Sequence, residues 1–123
     1  MINEERSSQG AHEPAFRAAI FVEGVSDREA LEALARRRRR DLSLEGVSIV
    51  PMGGAHGIGR FLETYGADGL DLQLAGLCDA GEERYVARAL QAAGLTADTS
   101  RSAMEQQGFY VCEPDLEAEL IRL

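Results

Sequence analysis

Three short apolar runs in this chain each end on a carboxylate. The runs lead into Glu23, into Asp79 and into the acidic stretch 113–117. Short apolar runs that alternate with helical patterns are typical of strands buried on both faces of a parallel sheet. Parallel strands place their carboxyl ends along one edge of the sheet, where open α/β sheets bind their ligands. The sequence therefore predicts acidic side chains gathered at one edge.

Strand and helix signals alternate along the chain. Strands are predicted at 16–22, 47–50, 69–78 and 109–112, and helices at about 27–38, 58–65, 86–93, 101–107 and from Pro114 onward. Ser26 and Glu29 form a capping-box pattern before the first helix, whose buried stripe is predicted to be Ala30, Leu31, Leu34 and Ala35. This alternation predicts an α/β fold with about four parallel strands flanked by helices.

Length and composition bound the class of protein. The chain has 123 residues, 45% hydrophobic and 28% charged, which is the size of one globular domain. We expect residues 1–14 to be a disordered tail or linker and residues 15–123 to be the domain. No apolar run approaches the roughly 20 residues that cross a bilayer, and the polar start lacks a secretory signal, so a cytoplasmic protein is expected. Cys78 and Cys112 lack the partners of a zinc site and are predicted to be buried, reduced thiols.

The negative net charge of the chain argues against non-specific binding of nucleic acid through overall electrostatic attraction. The formal net charge is −8, whereas non-specific nucleic-acid binding comes mainly from Lys and Arg that neutralise phosphates. The five consecutive arginines at 36–40 are a local exception. They fit a solvated helix end about as well as they fit a phosphate contact.

The first carboxylate unit combines Glu23 and Asp27. Glu23 leaves the first strand, Asp27 enters the first turn of the next helix, and the glycine between them allows a sharp turn that aims both at one space. Carboxylate oxygens suit Mg²⁺, Mn²⁺ or Ca²⁺. On spacing alone, Asp27 is slightly better explained as a partner of the helix dipole, with no metal involved.

The second carboxylate unit follows the third predicted strand. Asp79 closes that strand, and Glu82 and Glu83 open the next helix. Helical spacing counted from Val86 does not choose which glutamate leans back over Asp79, and either can simply complement the helix start.

A glycine-rich loop at 52–59 follows the second strand. It lacks the Gly-Lys-Ser/Thr ending of a nucleotide-binding P-loop, which argues against that function. His56 within the loop is more simply explained as an exposed side chain. Arg60, just beyond the loop, is the better candidate for a phosphate contact.

These motifs, in this order, resemble a Toprim domain of the OLD (overcoming lysogenization defect) family. The residues that carry the resemblance are 23–27, the Gly53-Gly54 loop, Asp79 with the acids that follow it, and 115–117. It covers about residues 16–123 and implies a Rossmann-like Toprim fold. By resemblance, Glu23 takes the place of the family's strand-end glutamate and Asp79 that of the first aspartate of its Asp-x-Asp pair. The second aspartate falls on Gly81. Either Glu82 or Glu83 replaces it, or Asp115 and Glu117 supply the acidic ligands that OLD-type sites carry after their last strand, or the site binds metal loosely or is inactive.

The resemblance implies a nuclease domain that uses Mg²⁺ or Mn²⁺ to cleave phosphodiester bonds of DNA. It makes Glu23 and Asp79 the catalytic residues, with Glu23 as a metal ligand and general base. The metal ligands that it implies are Glu23, Asp27, Asp79, Glu83, Asp115 and Glu117. OLD proteins usually join Toprim to an ATPase, and this chain contains no Walker sequence, so a separate or fused ATPase is an expected partner.

Three other functions are compatible with the same residues. One is a catalytically degenerate Toprim module that binds nucleic acid or a partner ATPase. The second is nucleotidyl transfer as in primases, which needs nucleotide-binding basic residues that the sequence does not identify. The third is a topoisomerase, which is disfavoured because Tyr65 and Tyr85 fall in predicted helices and Tyr110 in a predicted strand, where packing explains them better.

Overall fold

A four-stranded sheet organises residues 16–112, the part of the chain that the computed structural model describes. The strands are β1 Ala18–Val22, β2 Val47–Pro51, β3 Gln73–Asp79 and β4 Phe109–Cys112. Their order across the sheet is β2-β1-β3-β4, and every pairing is parallel. The prediction of an α/β fold with about four parallel strands is confirmed.

Helices connect the strands, as the alternation of patterns predicted. They are α1 Val25–Arg37, α2 Ile58–Tyr65, α3 Glu83–Ala92 and α4 Arg101–Gln106, with short 3₁₀ turns at Ala55–Gly57 and Ala80–Glu82 before α2 and α3. The observed bounds differ from the predicted ones by up to four residues, mostly at the starts of the elements. The helix predicted from Pro114 lies outside the described residues.

The larger core lies on one face of the sheet. Its strand residues are Ala19, Phe21, Val50, Cys78 and Phe109, and its helix residues include Ile58, Leu62, Val86, Ala87, Leu90 and Met104. The ring of Phe21 lies 5.9 Å from that of Phe61 and 5.6 Å from that of Tyr65, between centroids. Burial of each large apolar side chain stabilises the fold by about 1.5–3 kcal/mol relative to exposure, so this face holds β1 and β3 firmly in register.

Helix α1 contacts β1 and β2 and packs less deeply than predicted. Ala30, Leu31, Leu34 and Ala35 are half-buried, and no residue of α1 is fully buried. The predicted stripe therefore has the right residues but not the predicted burial. A single helix leaves its flanks open to water, because among the described residues no second helix packs beside it.

The start of α1 corrects the capping prediction. The helix begins at Val25 with Gly24 as its N-cap, and Asp27 Oδ2 accepts a hydrogen bond of 3.0 Å from the Gly24 amide. The predicted pairing of Ser26 with Glu29 is wrong, because the helix starts before Ser26 and Asp27 already reaches back to the cap.

The arginine run lies at the far end of α1. The helix starts at the carboxyl end of β1 and returns to the amino end of β2, so residues 36–40 lie at the edge opposite Glu23. All five are exposed, and Arg40 Nη2 lies 2.6 Å from Glu45 Oε1. The arginine run is thus placed away from the predicted acidic site.

Two further predictions concern the cysteines and the membrane. Cys78 and Cys112 are reduced and both are buried, as predicted. Within residues 16–112, no helix has the length and apolar character needed to cross a bilayer.

Candidate metal centre

Glu23 and Asp79 meet at the carboxyl edge of the sheet. Glu23 directly follows β1, Asp79 ends β3, and these two strands are neighbours. The Asp79 amide donates a hydrogen bond of 3.1 Å to Glu23 Oε2, which joins residues 56 positions apart in the chain. Both side chains are half-buried. The fold therefore brings together the two residues that the sequence singled out most strongly.

The surroundings of Glu23 disfavour its charged form. Burial raises the pKa of the Glu23 carboxyl above its ordinary value of 4.5, and the hydrogen bond from the Asp79 amide opposes this effect. The neighbouring charges that raise the pKa further are those of Asp79, Glu82 and Asp27. A carboxylate held among other carboxylates at a half-buried strand end is an environment that a cation would relieve.

The glycine loop fixes the backbone of Glu23. The Gly54 amide donates a hydrogen bond of 2.8 Å to the Glu23 carbonyl, and the Met52 amide donates one of 2.8 Å to the Val22 carbonyl. Gly53 and Gly54 have φ of 75° and 114°, which residues with side chains rarely adopt. The loop therefore needs glycine at these positions to hold the end of β1.

Asp27 lies in the first turn of α1, near Glu23. Its Oδ2 is engaged by the Gly24 amide at 3.0 Å, and the side chain is half-buried. This hydrogen bond supports the interpretation of Asp27 as a residue that stabilises the start of α1. The hydrogen bond uses one carboxylate oxygen, and the charge of Asp27 still raises the pKa of Glu23.

Glu82 reaches toward the glycine loop. Its Oε1 lies 3.5 Å from His56 Nε2, and the His56 ring stacks on the Tyr85 ring at 4.1 Å with 9° between their planes. The Tyr85 hydroxyl donates a hydrogen bond of 3.0 Å to the His56 carbonyl. His56 is exposed as expected, but it is also held in place by α3. The contact between Tyr85 and His56 joins residues 29 positions apart, so no local sequence pattern predicts it.

Glu83 points to a different partner. Arg101 donates to both of its carboxylate oxygens, from Nη2 at 2.6 Å and from Nε at 3.1 Å. This two-pronged contact ties α3 to α4, and the hydrogen bond from Arg101 lowers the pKa of the Glu83 carboxyl. The predicted ligand Glu83 is thus engaged in an ion pair that the sequence analysis did not foresee.

The remaining predicted site residues are less informative. Arg60 is exposed in the first turn of α2, beyond the glycine loop. Asp115 and Glu117 lie outside the described residues.

A family profile matches the part of the chain that builds this edge. The family is described as the TOPRIM domain of proteins like the overcoming lysogenization defect protein, and it matches residues 16–80, just over half of the chain. The chain belongs to this family. The match extends from β1 through Asp79, so Glu23, the glycine loop and Asp79 all lie inside the OLD-like Toprim domain.

Solved structures agree with the assignment. The C-terminal region of the Xanthomonas campestris pv. campestris OLD protein is 27% identical with a TM-score of 0.72, and covers 85% of this chain and 53% of that one. The C-terminal region of the Burkholderia pseudomallei OLD protein is 25% identical with a TM-score of 0.75, and covers 87% of this chain and 58% of that one. The Toprim domain thus spans little more than half the length of either relative. No curated protein shows a significant match.

The donor chemistry of the Toprim edge fits a hard divalent cation, but the donor count is incomplete. Glu23, Asp27, Asp79 and Glu82 offer only carboxylate oxygens, which Mg²⁺ and Mn²⁺ prefer. Within residues 16–112, however, no three Asp, Glu, His or Cys side chains stand close enough together to hold an ion. Because Mg²⁺ commonly binds through one or two carboxylates and keeps several waters, Glu23 and Asp79 are the pair around which such a site would form.

Proposed function

We propose that this Toprim domain is a divalent-metal-dependent nuclease that cleaves phosphodiester bonds of DNA. The observation that carries the proposal is the junction of Glu23 and Asp79 across β1 and β3, where an amide of one residue holds the carboxylate of the other. Membership of the OLD-like Toprim family and the similarity to C-terminal regions of OLD proteins support it.

Glu23 and Asp79 are the residues that would hold Mg²⁺ or Mn²⁺, with Asp27 in the surrounding shell. A bound divalent ion supplies an activated water at neutral pH and stabilises charge on the leaving oxygen. The alternative role for Glu23 is to lie beside the ion and accept a proton from the attacking water as a general base. The Asp79 amide fixes the orientation of Glu23 Oε2 for either role.

Plasmid nicking tests this proposal directly. Purified full chain should convert supercoiled plasmid to the open circle with Mn²⁺ or Mg²⁺ and not with EDTA. Glu23→Gln and Asp79→Asn should each lower the nicking rate by about a hundredfold or more, since each removes charge from the proposed centre. Arg40→Gln, at the opposite edge of the sheet, is the matched control and should nick like the wild type. Nicking that survives both carboxylate changes would contradict the proposal.

A catalytically degenerate module is the second candidate. Two observations favour it, namely the absent side chain at Gly81 and the lack of a three-ligand group among residues 16–112. Such a module would bind DNA or an ATPase without nicking. Retarded migration of DNA with protein in EDTA, combined with no nicking in Mn²⁺, would favour this candidate over the nuclease.

A further inference from the structure

Two aromatic rings lie stacked and exposed at the carboxyl edge of the sheet. The centroid of the His56 ring lies 4.1 Å from that of the Tyr85 ring, with 9° between their planes. The His56 side chain is 74% exposed, and Tyr85 is 40% exposed. The stack covers only one face of the His56 ring, so the other face is open to a further planar group.

The fold holds this pair of rings in place. The Tyr85 hydroxyl donates a hydrogen bond of 3.0 Å to the His56 carbonyl, and His56 itself lies in the 3₁₀ turn that precedes α2. His56 Nε2 also lies 3.5 Å from Glu82 Oε1. A ring that is already fixed loses little freedom when another ring stacks on it, and this pre-organisation favours binding.

The stacked pair lies beside the proposed metal centre. The sheet order places β1 between β2 and β3, and the stack joins the loop after β2 to the helix that follows β3. It therefore spans the strand that leads into Glu23. The Gly54 amide, two residues before His56, donates to the Glu23 carbonyl at 2.8 Å. A group stacked on His56 would lie next to the residues that are proposed to act on a phosphodiester.

Exposed arginines accompany the two rings. Arg84 and Arg88 lie on α3, beside Tyr85 and about one turn beyond it, and both are exposed. Arg60 is exposed in the first turn of α2, four residues after His56. Within residues 16–112, the side chains of these three arginines form no ion pair. Proteins that bind single-stranded nucleic acid combine such basic groups, which meet the phosphates, with aromatic rings, which stack on the bases.

We infer that His56, backed by Tyr85, is a stacking site for an unpaired base of single-stranded DNA. This inference rests on the proposed function, which supplies DNA as the ligand, and it names the class of DNA. The bases of a duplex are stacked on one another, so only a strand with unpaired bases places one on His56 without breaking base pairs. Stacking is also a contact that the net charge of −8 does not oppose.

Fluorescence anisotropy of a labelled oligo-dT strand tests the inference on the full chain, with EDTA present so that binding is measured without cleavage. The wild type should bind oligo-dT more tightly than a duplex of equal length. His56→Ala should weaken the binding of oligo-dT about tenfold or more. His56→Phe should stay within about threefold of wild type, because phenylalanine keeps a ring on which a base stacks.

Tyr110→Ala is the matched control. It removes a ring that is 49% exposed, from β4 and not from the stacked pair, and should leave the binding of oligo-dT unchanged. Thermal melts of each variant confirm that the chain is folded.

The outcomes separate the inference from the proposed function. Equal binding of oligo-dT and duplex by the wild type would overturn the inference. So would unchanged binding by His56→Ala, a loss in His56→Phe as large as in His56→Ala, or an equal loss in Tyr110→Ala. If Glu23→Gln abolishes plasmid nicking while His56→Ala binds oligo-dT like the wild type, the inference fails and the nuclease stands. If binding depends on His56 but the wild type nicks no plasmid with Mn²⁺, the stacking site stands and the nuclease fails.

Discussion

At the scale of single residues, the position of Glu23 could be predicted from the sequence, whereas its electrostatic environment could not. A carboxylate that ends an apolar strand and precedes glycine was enough to predict its place at the sheet edge. Its raised pKa was not predictable, because burial and three neighbouring carboxylates arise only when β1, α1 and β3 assemble. The same holds for Glu83, whose partner Arg101 lies 18 positions further along the chain.

Cys78 gives a prediction at this scale. Its side chain is 5% exposed, and burial, reinforced by the charge of Glu23, raises the pKa of the thiol from 9.0 to about 12. Because only the thiolate is nucleophilic, Cys78 in the native, metal-free protein should resist Ellman's reagent at pH 8 for as long as the fold persists. Cys112 is also buried and should resist as well.

Unfolding supplies the control for this measurement. Both thiols should react within minutes in urea, because exposure returns Cys78 to its ordinary pKa.

The raised pKa of Cys78 also makes the free energy of unfolding depend on pH. Above pH 9 the unfolded chain releases the Cys78 proton while the folded chain keeps it, so stability should fall as the pH rises toward 12. In the labelling experiment, rapid reaction of native protein with Ellman's reagent at pH 8 would contradict the burial of Cys78 and Cys112.

At the scale of elements, strands and helices were largely predictable, and their ends were not. The strand β4 was predicted with its exact observed bounds, because an aromatic and β-branched run between a glycine and an acidic stretch has few alternatives. The predicted start of α1 was wrong. Gly24 has no side chain that marks an N-cap in the sequence, and the capping carboxylate of Asp27 lies inside the helix. Cap geometry depends on backbone angles that a residue pattern does not specify.

Packing between β3 and β4 gives a prediction at the scale of elements. A Cβ added at Gly76 would lie 2.6 Å from the buried ring of Phe109. Gly76→Ala should therefore destabilise the fold by about 1–3 kcal/mol, because the ring must move or the strands must separate. Urea denaturation measures this change as a lower midpoint with an unchanged slope.

Gly81→Ala is the matched control for this substitution. It adds the same methyl group at a position with nothing within 4 Å, so its free energy of unfolding should stay within about 0.5 kcal/mol of wild type. Equal midpoints for the Gly76→Ala and Gly81→Ala proteins would show that the contact between β3 and β4 is looser than described.

At the scale of the whole molecule, the parallel sheet explains why residues far apart in sequence share one site. The sheet order β2-β1-β3-β4 makes β1 and β3 neighbours, and this adjacency is what joins Glu23 to Asp79. Alternating patterns predicted the parallel sheet, and the Toprim resemblance singled out Glu23 and Asp79 as candidate catalytic residues. The contacts of His56 with Tyr85 and Glu82 were beyond either source, because they depend on how α3 packs against the glycine loop.

Anomalous diffraction from crystals of the full chain grown with saturating Mn²⁺ would show whether Glu23 and Asp79 share a divalent cation. We expect an anomalous peak within about 2–2.5 Å of a carboxylate oxygen of each residue. Well-ordered Glu23 and Asp79 side chains with no anomalous peak between them would contradict it.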